Sequence, residues 1–250
     1  MKFSDPISEG KLVKRYKRFF ADIETDDGII TALTPNTGSM KGLLDAGNKV
    51  RFSSNDDPKR KLKYTLEQIK VKTSWVGVNT GLPNKFAMEL WNSKSYKPWT
   101  KYPFARAEVK INDKSRLDMA LWKDTDLGEI KKFQPALLED HKFHFIEIKN
   151  TTLGEDGVAM FPDSVTSRGL KHLHEMIQLV EAGHTAEMLY VVQRTDCETF
   201  QPASDIDPEY AKGLKEAKKA GVKVTAMACD LKKGEIRLNP EKLLKVHLSY

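Results

Sequence analysis

The sequence predicts a two-domain α+β chain: a small β-barrel, then an α/β domain built on a mixed sheet. Three observations point there. Roughly the first third breaks into short apolar runs separated by turn formers, the mark of a small all-β unit. The remainder switches between helical and strand periodicity, the mark of a sheet flanked by helices. Positive charge is also concentrated at the front. Residues 1–84 carry 15 Lys/Arg against 10 Asp/Glu, whereas the remaining 166 residues carry 26 against 25.

In the first part, residues 12–24 read as a strand holding Phe19, Phe20 and Ile23, with at least one Phe expected in the core. Asp27-Gly28 reads as a hairpin turn leading into residues 29–33. Thr34 to Met40 is rich in turn formers and reads as a loop. Short strands follow at 49–53 and 64–72, the latter offering Leu66, Ile69 and Val71 to a core. This spacing fits a five-stranded barrel of the oligonucleotide-binding type. Gly77, Gly81 and Pro83 mark the joint, which divides the chain into domains at 1–82 and 83–250.

In the second part, Phe86, Leu90 and Trp91 sit at near-helical spacing and predict a short helix over 84–93. Strands are predicted at 106–111, 116–122 and 143–149. Leu170, Leu173, Met176, Ile177 and Val180 predict an amphipathic helix, with Thr166 or Ser167 as its cap and Gly183 at its end. A strand over 188–193, a helix opened by Asp207-Pro208 and closed by Gly221, and a strand over 222–229 complete the order.

Composition excludes several functions. No apolar run is long enough to span a bilayer, and the first residues carry no secretory signal. Cys197 and Cys229 form neither a metal-site spacing nor a disulfide framework, so a reducing cytoplasm is expected. The loop Asn36-Thr37-Gly38-Ser39 lacks the second Gly and the Gly-Lys-Ser/Thr ending of a nucleotide phosphate loop, which argues against ATP. The basic first domain points to a polyanion.

The chemistry-bearing segment is Phe145-Ile146-Glu147-Ile148-Lys149-Asn150. Alternate side chains of a strand share a face, so Phe143, Phe145, Glu147 and Lys149 point one way. A carboxylate and an ammonium on an otherwise apolar strand need a partner or a cation. The strand before it carries Asp118, with Leu117, Met119 and Leu121 expected on the opposite face. If the two strands are neighbours, Asp118 faces Glu147. An Asp, then Glu-X-Lys on an adjacent strand, resembles the PD-(D/E)-X-K nuclease superfamily. Two carboxylates, with the Ile148 carbonyl as third ligand, would hold Mg²⁺ or Mn²⁺, and Lys149 would act on the attacking water. Leu117 stands where the superfamily name has Pro.

Over nearly its whole length the chain resembles the sugar fermentation stimulation family. The resemblance rests on residues 14–19 (KRYKRF), 35–40 (PNTGSM), 115–118 (SRLD), 147–150 (EIKN) and 161–173 (FPDSVTSRGLKHL). It implies an oligonucleotide-binding barrel, a nuclease-like second domain, non-specific DNA binding and a regulatory link to sugar (maltose) metabolism. Two readings follow: a metal-dependent phosphodiesterase using Asp118, Glu147 and Lys149, or a DNA-binding regulator without catalysis.

DNA contacts are expected from Lys11, Lys14, Arg15, Lys17 and Arg18, whose cations interleave with aromatic rings as in single-strand binders. Arg168 and His172 are expected to meet the backbone near the metal. Lys171 and Glu175 read as a solvated helix face, as does Glu89 on its own helix. Trp91, Trp99 and Trp122 read as core or joint residues.

Overall fold

A computed structural model describes residues 1–248. The first domain holds β1 (Ile7–Tyr16), β2 (Phe20–Thr25), β3 (Gly28–Leu33), β4 (Lys49–Ser54), β5 (Tyr64–Val71) and β6 (Ser74–Gly77). Their order is β3-β2-β1-β4-β5-β6, and a β3–β5 pairing closes β1 to β5 into the expected barrel. Leu12, Ile23, Val50, Phe52, Leu66 and Ile69 fill it.

Two expectations need correction here. The strand read over 12–24 is broken by a tight turn, with Lys17 and Arg18 in the left-handed region at φ 47° and 63°. The break puts Phe19 at the tip, 47% exposed, and leaves Phe20 half-buried, so neither joins the barrel core. The joint region also contains a strand, β6, where its glycines and the lack of a long apolar run indicate only a linker.

The second domain holds α1 (Pro83–Asn92), β7 (Phe104–Asn112), β8 (Ser115–Trp122), α2 (Leu137–Asp140), β9 (His144–Thr151), β10 (Leu153–Glu155), β11 (Val158–Phe161), α3 (Ser167–Glu181), β12 (Thr185–Val192), β13 (Thr199–Pro202), α4 (Pro208–Lys219), β14 (Lys223–Leu231), β15 (Ile236–Leu243) and β16 (Lys245–Val246). The main sheet runs β15-β14-β12-β9-β8-β7. Its centre, β9, β12 and β14, is parallel, and its flanks are antiparallel.

A parallel centre must be covered on both faces, because its crossover helices lie there. Leu173 and Met176 of α3 and Tyr210 and Leu214 of α4 cover Phe145, Met188 and Tyr190 on one face. Phe86 and Leu90 of α1 cover Ile146, Ile148, Leu189 and Val191 on the other. The caps are those the sequence announces. Thr166 Oγ1 accepts from Gly169 N–H at 3.1 Å, and Asp207 accepts from Tyr210 N–H at 2.9 Å.

The two domains share hydrogen-bonded backbone. Gly77 N–H of β6 donates to the Gln193 carbonyl just beyond β12, at 2.8 Å. A Cβ at Gly77 would lie 2.3 Å from Gln193 Oε1, so a larger residue there would force the Gln193 side chain to shift. The loop after β3 crosses to the second domain as well. Ser39 Oγ donates to Asp163 Oδ2 at 2.9 Å, and Met40 N–H to the same oxygen at 3.2 Å. A Cβ on Gly38 would come within 2.9 Å of Asp163 Oδ2. Met1 and Phe3 pack on the α1 face of the second domain.

Candidate active site

β8 and β9 are antiparallel neighbours, with Met119 opposite Ile146 and Ala120 opposite Phe145. The same register carried one residue further sets Asp118 beside Glu147. There the ladder is replaced by a side chain: Asp118 Oδ2 accepts from Ile148 N–H at 2.7 Å. Asn84 Nδ2, from the start of α1, donates to Asp118 Oδ1 at 2.9 Å. The N–H and C=O of one strand residue point to the same side. The Ile148 carbonyl is therefore directed toward Asp118 as well.

The expected alternation along β8 fails at this point. Met119 and Leu121 pack on the α1 face, but Leu117 packs with Ala120 and Trp122 on the opposite one. β7 slips in step, since Ala105 lies against the α1-face core and Val109 in the other. Glu108, between Ala107 and Val109 and so level with Asp118, has a left-handed φ of 55°. This paired irregularity frees the Asp118 carboxylate from the regular pleat.

Glu147 is 3% exposed. Its Oε1 accepts from Lys149 Nζ at 2.7 Å and is hydrogen-bonded to His172 Nδ1 of α3. Its Oε2 is buried and has no partner among the described residues. Burial works to raise the Glu147 carboxyl, but His172 and Lys149 override it and hold the group below its ordinary value. Asp118 moves the other way. Burial, then the Glu147 charge, raise it to about 6, against the pull of Ile148 N–H, Asn84 and Lys149.

Two converging carboxyl groups, one with an unpartnered buried oxygen, suit a hard divalent cation. Among the described residues no cluster of three or more His, Cys, Asp or Glu side chains is placed to hold a metal. The available donors are Glu147 Oε2, the Asp118 carboxylate, the Ile148 carbonyl and water. Such a sparse set is usual for Mg²⁺, which keeps several waters.

His172 and Glu175 do not lie on a solvated face. Both are buried, at 4% and 8% exposed, because they share the inward stripe of α3 with Met176 and Leu179. Glu175 is hydrogen-bonded to Ser115 Oγ, which also accepts from Lys171 Nζ at 2.6 Å. Positions 172, 175, 176 and 179 follow helical spacing, a signal that includes polar residues once the apolar ones are set aside. A groove beside this stripe is lined by Lys110, Lys114, Arg116, Arg168, Lys171 and His172, with Asp113 its one acid. His172 thus links the basic groove to Glu147.

The cations of β1 are distributed differently. Lys11, Lys14, Lys17 and Arg18 are exposed. Arg15 is half-buried; it donates to the Arg18 carbonyl at 2.9 Å and to the Asn36 carbonyl at 2.7 Å, so it braces the turn and the crossing loop. Glu89 lies apart from the carboxylate pair and meets the Met1 amino group at 2.9 Å. Trp99 and Trp122 are fully buried, and Trp91 is half-buried, as expected.

Among the buried charges that escaped the sequence reading, Glu187 on β12 is the deepest, at 0% exposed. It accepts from Trp99 Nε1 at 3.0 Å and Thr225 Oγ1 at 2.6 Å, and it meets His144 Nε2 and Lys223 Nζ, both at 3.1 Å. Cys197 and Cys229 are free and buried, and no helix among the described residues is long and apolar enough to cross a membrane.

Comparison with known proteins agrees with this architecture. Residues 13–78 match the family described as the SfsA N-terminal OB domain, and residues 81–235 match the Sugar fermentation stimulation protein RE domain. Sugar fermentation stimulation protein homologs of Bdellovibrio bacteriovorus and Pelagibacter ubique are each 44% identical to the chain. They cover 96% and 98% of it, and 97% and 99% of their own lengths. A solved structure, that of Pyrococcus furiosus SfsA in complex with Ca²⁺, superposes with a TM-score of 0.83 at 24% identity, covering 99% of this chain and 98% of that one. With both domains matched in order and relatives aligned over almost their full length, the chain belongs to the sugar fermentation stimulation protein family.

Proposed function

We propose that the chain binds DNA without sequence preference and hydrolyses phosphodiester bonds at Asp118, Glu147 and Lys149 with Mg²⁺ or Mn²⁺. The observation that carries this reading is the unpartnered, buried Glu147 Oε2 beside a second carboxylate. A buried carboxylate oxygen left without a partner costs free energy, and a bound cation removes that cost. The Ca²⁺ in the Pyrococcus furiosus relative supports a divalent cation here. When bound, such an ion supplies a water of lowered pKa and offsets charge developing on the phosphate.

The chain's own residues do the rest. His172 fixes the Glu147 rotamer from α3, and Asn84 fixes Asp118 from α1. Lys149 places an ammonium at the rim of the pair. The groove of Lys114, Arg116 and Arg168 leads a phosphate backbone to it. Two buried free thiols suit a reducing cytoplasm.

The test is cleavage of single-stranded DNA, duplex DNA and RNA in Mg²⁺, Mn²⁺ and EDTA. Cleavage is expected with either metal, none in EDTA, and none by Asp118→Ala. If nothing is cut in any condition, the reading as a DNA-binding regulator replaces this one.

Metal binding should depend on pH with a definite sign. Asp118 is raised to about 6, so below that value the cation must displace a proton. Apparent Mn²⁺ affinity is expected to fall by about tenfold per pH unit below 6 and to level off above it. Calorimetric titrations between pH 5 and 8 check this, and a flat profile would remove Asp118 from the ligand set.

DNA affinity should weaken steeply with salt. Replacing Lys14, Lys17, Arg116 and Arg168 by alanine is expected to flatten the log–log salt slope by roughly 0.7 to 0.9 for each phosphate that is no longer neutralised. An unchanged slope would place the binding surface elsewhere.

A further inference from the structure

A second cavity, of about 230 Å³, lies where the two domains meet. The first domain contributes Asn36, Thr37, Gly38 and Thr80, and the second contributes Asn150, Thr152, Leu153, Met160, Phe161 and Asp163. It shares β9 with the candidate active site, Asn150 following Lys149 on that strand.

Its lining is polar, mostly neutral and not fully engaged. Asn36 and Thr152 are 4% and 6% exposed. Asn36 Oδ1 accepts from Gly38 N–H at 2.8 Å, and among the described residues its Nδ2 has no partner. Asn150 Oδ1 accepts from Gln193 Nε2 at 2.6 Å, and its Nδ2 likewise has none. Thr152 Oγ1 is in the same position. Asp163 commits Oδ2 to Ser39 and Met40, leaving Oδ1 without a donor. Two amide donors, a hydroxyl and a carboxylate oxygen therefore surround a space with an apolar wall of Leu153, Met160 and Phe161.

These polar ends are open to the cavity rather than sealed from solvent, so a ligand that enters it can pair with them in place of water. The space greatly exceeds the roughly 30 Å³ share of a single water, and it falls below the about 300 Å³ at which pockets for drug-sized ligands begin. No Lys or Arg lines it, so a phosphate would stand beside Asp163 without a counter-charge. A flat, neutral heterocycle with donors and acceptors on its edge meets every requirement.

Resting on the reading as a DNA-binding nuclease, we infer that this junction cavity takes one unstacked nucleobase of the bound strand, next to the phosphate held at Glu147 and Lys149. Asn36, Asn150 and Thr152 address its edge, Asp163 accepts from a ring or amino N–H, and Phe161 lies against its face. The barrel thereby forms half of a substrate subsite.

The test is an abasic scan. Single-stranded oligonucleotides of fixed length, each lacking one base but keeping every phosphate, are compared for binding and cleavage in Mn²⁺. One position, adjoining the cut, is expected to weaken binding roughly 5- to 150-fold, the range for a single inserted base. Thr37→Trp fills the cavity from an exposed position and should abolish that position's effect. Thr152→Val, nearly isosteric, should reduce it, so the inference does not depend on one variant folding. A strand that binds and is cut equally well whichever base is missing would overturn the base pocket and leave the nuclease reading standing. Absence of any binding or cleavage by the wild type would overturn both. Stoichiometric competition by a free deoxynucleoside monophosphate would assign the cavity to a free nucleotide and overturn the strand-base inference.

Discussion

Lys149→Ala is expected to slow cleavage by about 10²- to 10³-fold while leaving cation and DNA binding in place. The ammonium sits 2.7 Å from Glu147 Oε1, whereas Oε2 on the same carboxylate is the oxygen left for a metal. Removing Lys149 takes a positive charge away from the site, so cation affinity should hold or rise. The variant forfeits stabilisation of charge that develops only in the transition state, which lowers turnover rather than binding. Single-turnover rates at saturating Mn²⁺, paired with Mn²⁺ titrations, separate the two effects. A variant that cuts as fast as the wild type would take Lys149 out of the mechanism.

Glu187→Ala should destabilise the fold by about 3–5 kcal/mol, the usual cost of removing one partner from a buried ionic cluster. The carboxylate ties His144 of β9 to Thr225 and Lys223 of β14, and it anchors Trp99 from the segment between α1 and β7. Burial acts to raise the Glu187 carboxyl, but the His144 hydrogen bond, the Lys223 charge and the Thr225 hydroxyl more than offset this and bring it to about 2. The folded value lies below the ordinary one. The contribution is therefore complete above about pH 4.5 and is lost as pH falls toward 2. Urea titrations at pH 7 and pH 3 should show a large wild-type-to-variant gap at the first and a smaller one at the second. A gap under about 1 kcal/mol at pH 7 would mean that the cluster is solvated in solution.

Much of this was legible in the sequence because strand and helix periodicities are local. Most barrel strands, the Asp207 cap and the alternation that puts Glu147 and Lys149 on one face follow from spacing. The β8–β9 pairing that brings Asp118 to Glu147 stood only as a condition until the structure supplied it. What escaped depends on contacts between distant segments. Asn84 reaches Asp118 across 34 residues, and Glu187 finds Trp99 across 88. Neither partner carries a local signature. The slip of β7 and β8 at Glu108 and Asp118 was hidden for a different reason, since Leu117, Met119 and Leu121 make a regular alternation that the backbone declines to follow. The short strands β10, β11, β13 and β16 were missed because runs of two to four residues carry too little periodicity to register.

The junction also bears on how freely the halves can be exchanged among relatives. Gly77 abuts Gln193, and Gly38 abuts Asp163, with one member of each pair in each domain. A chimaera that grafts a foreign barrel onto this second domain inherits only half of both fittings. A side chain arriving at position 38 or 77 would collide with a partner that had never been selected to accommodate it. A foreign barrel therefore fits this second domain with least rearrangement where it brings glycine to both seams, since any other residue obliges Asp163 or Gln193 to shift.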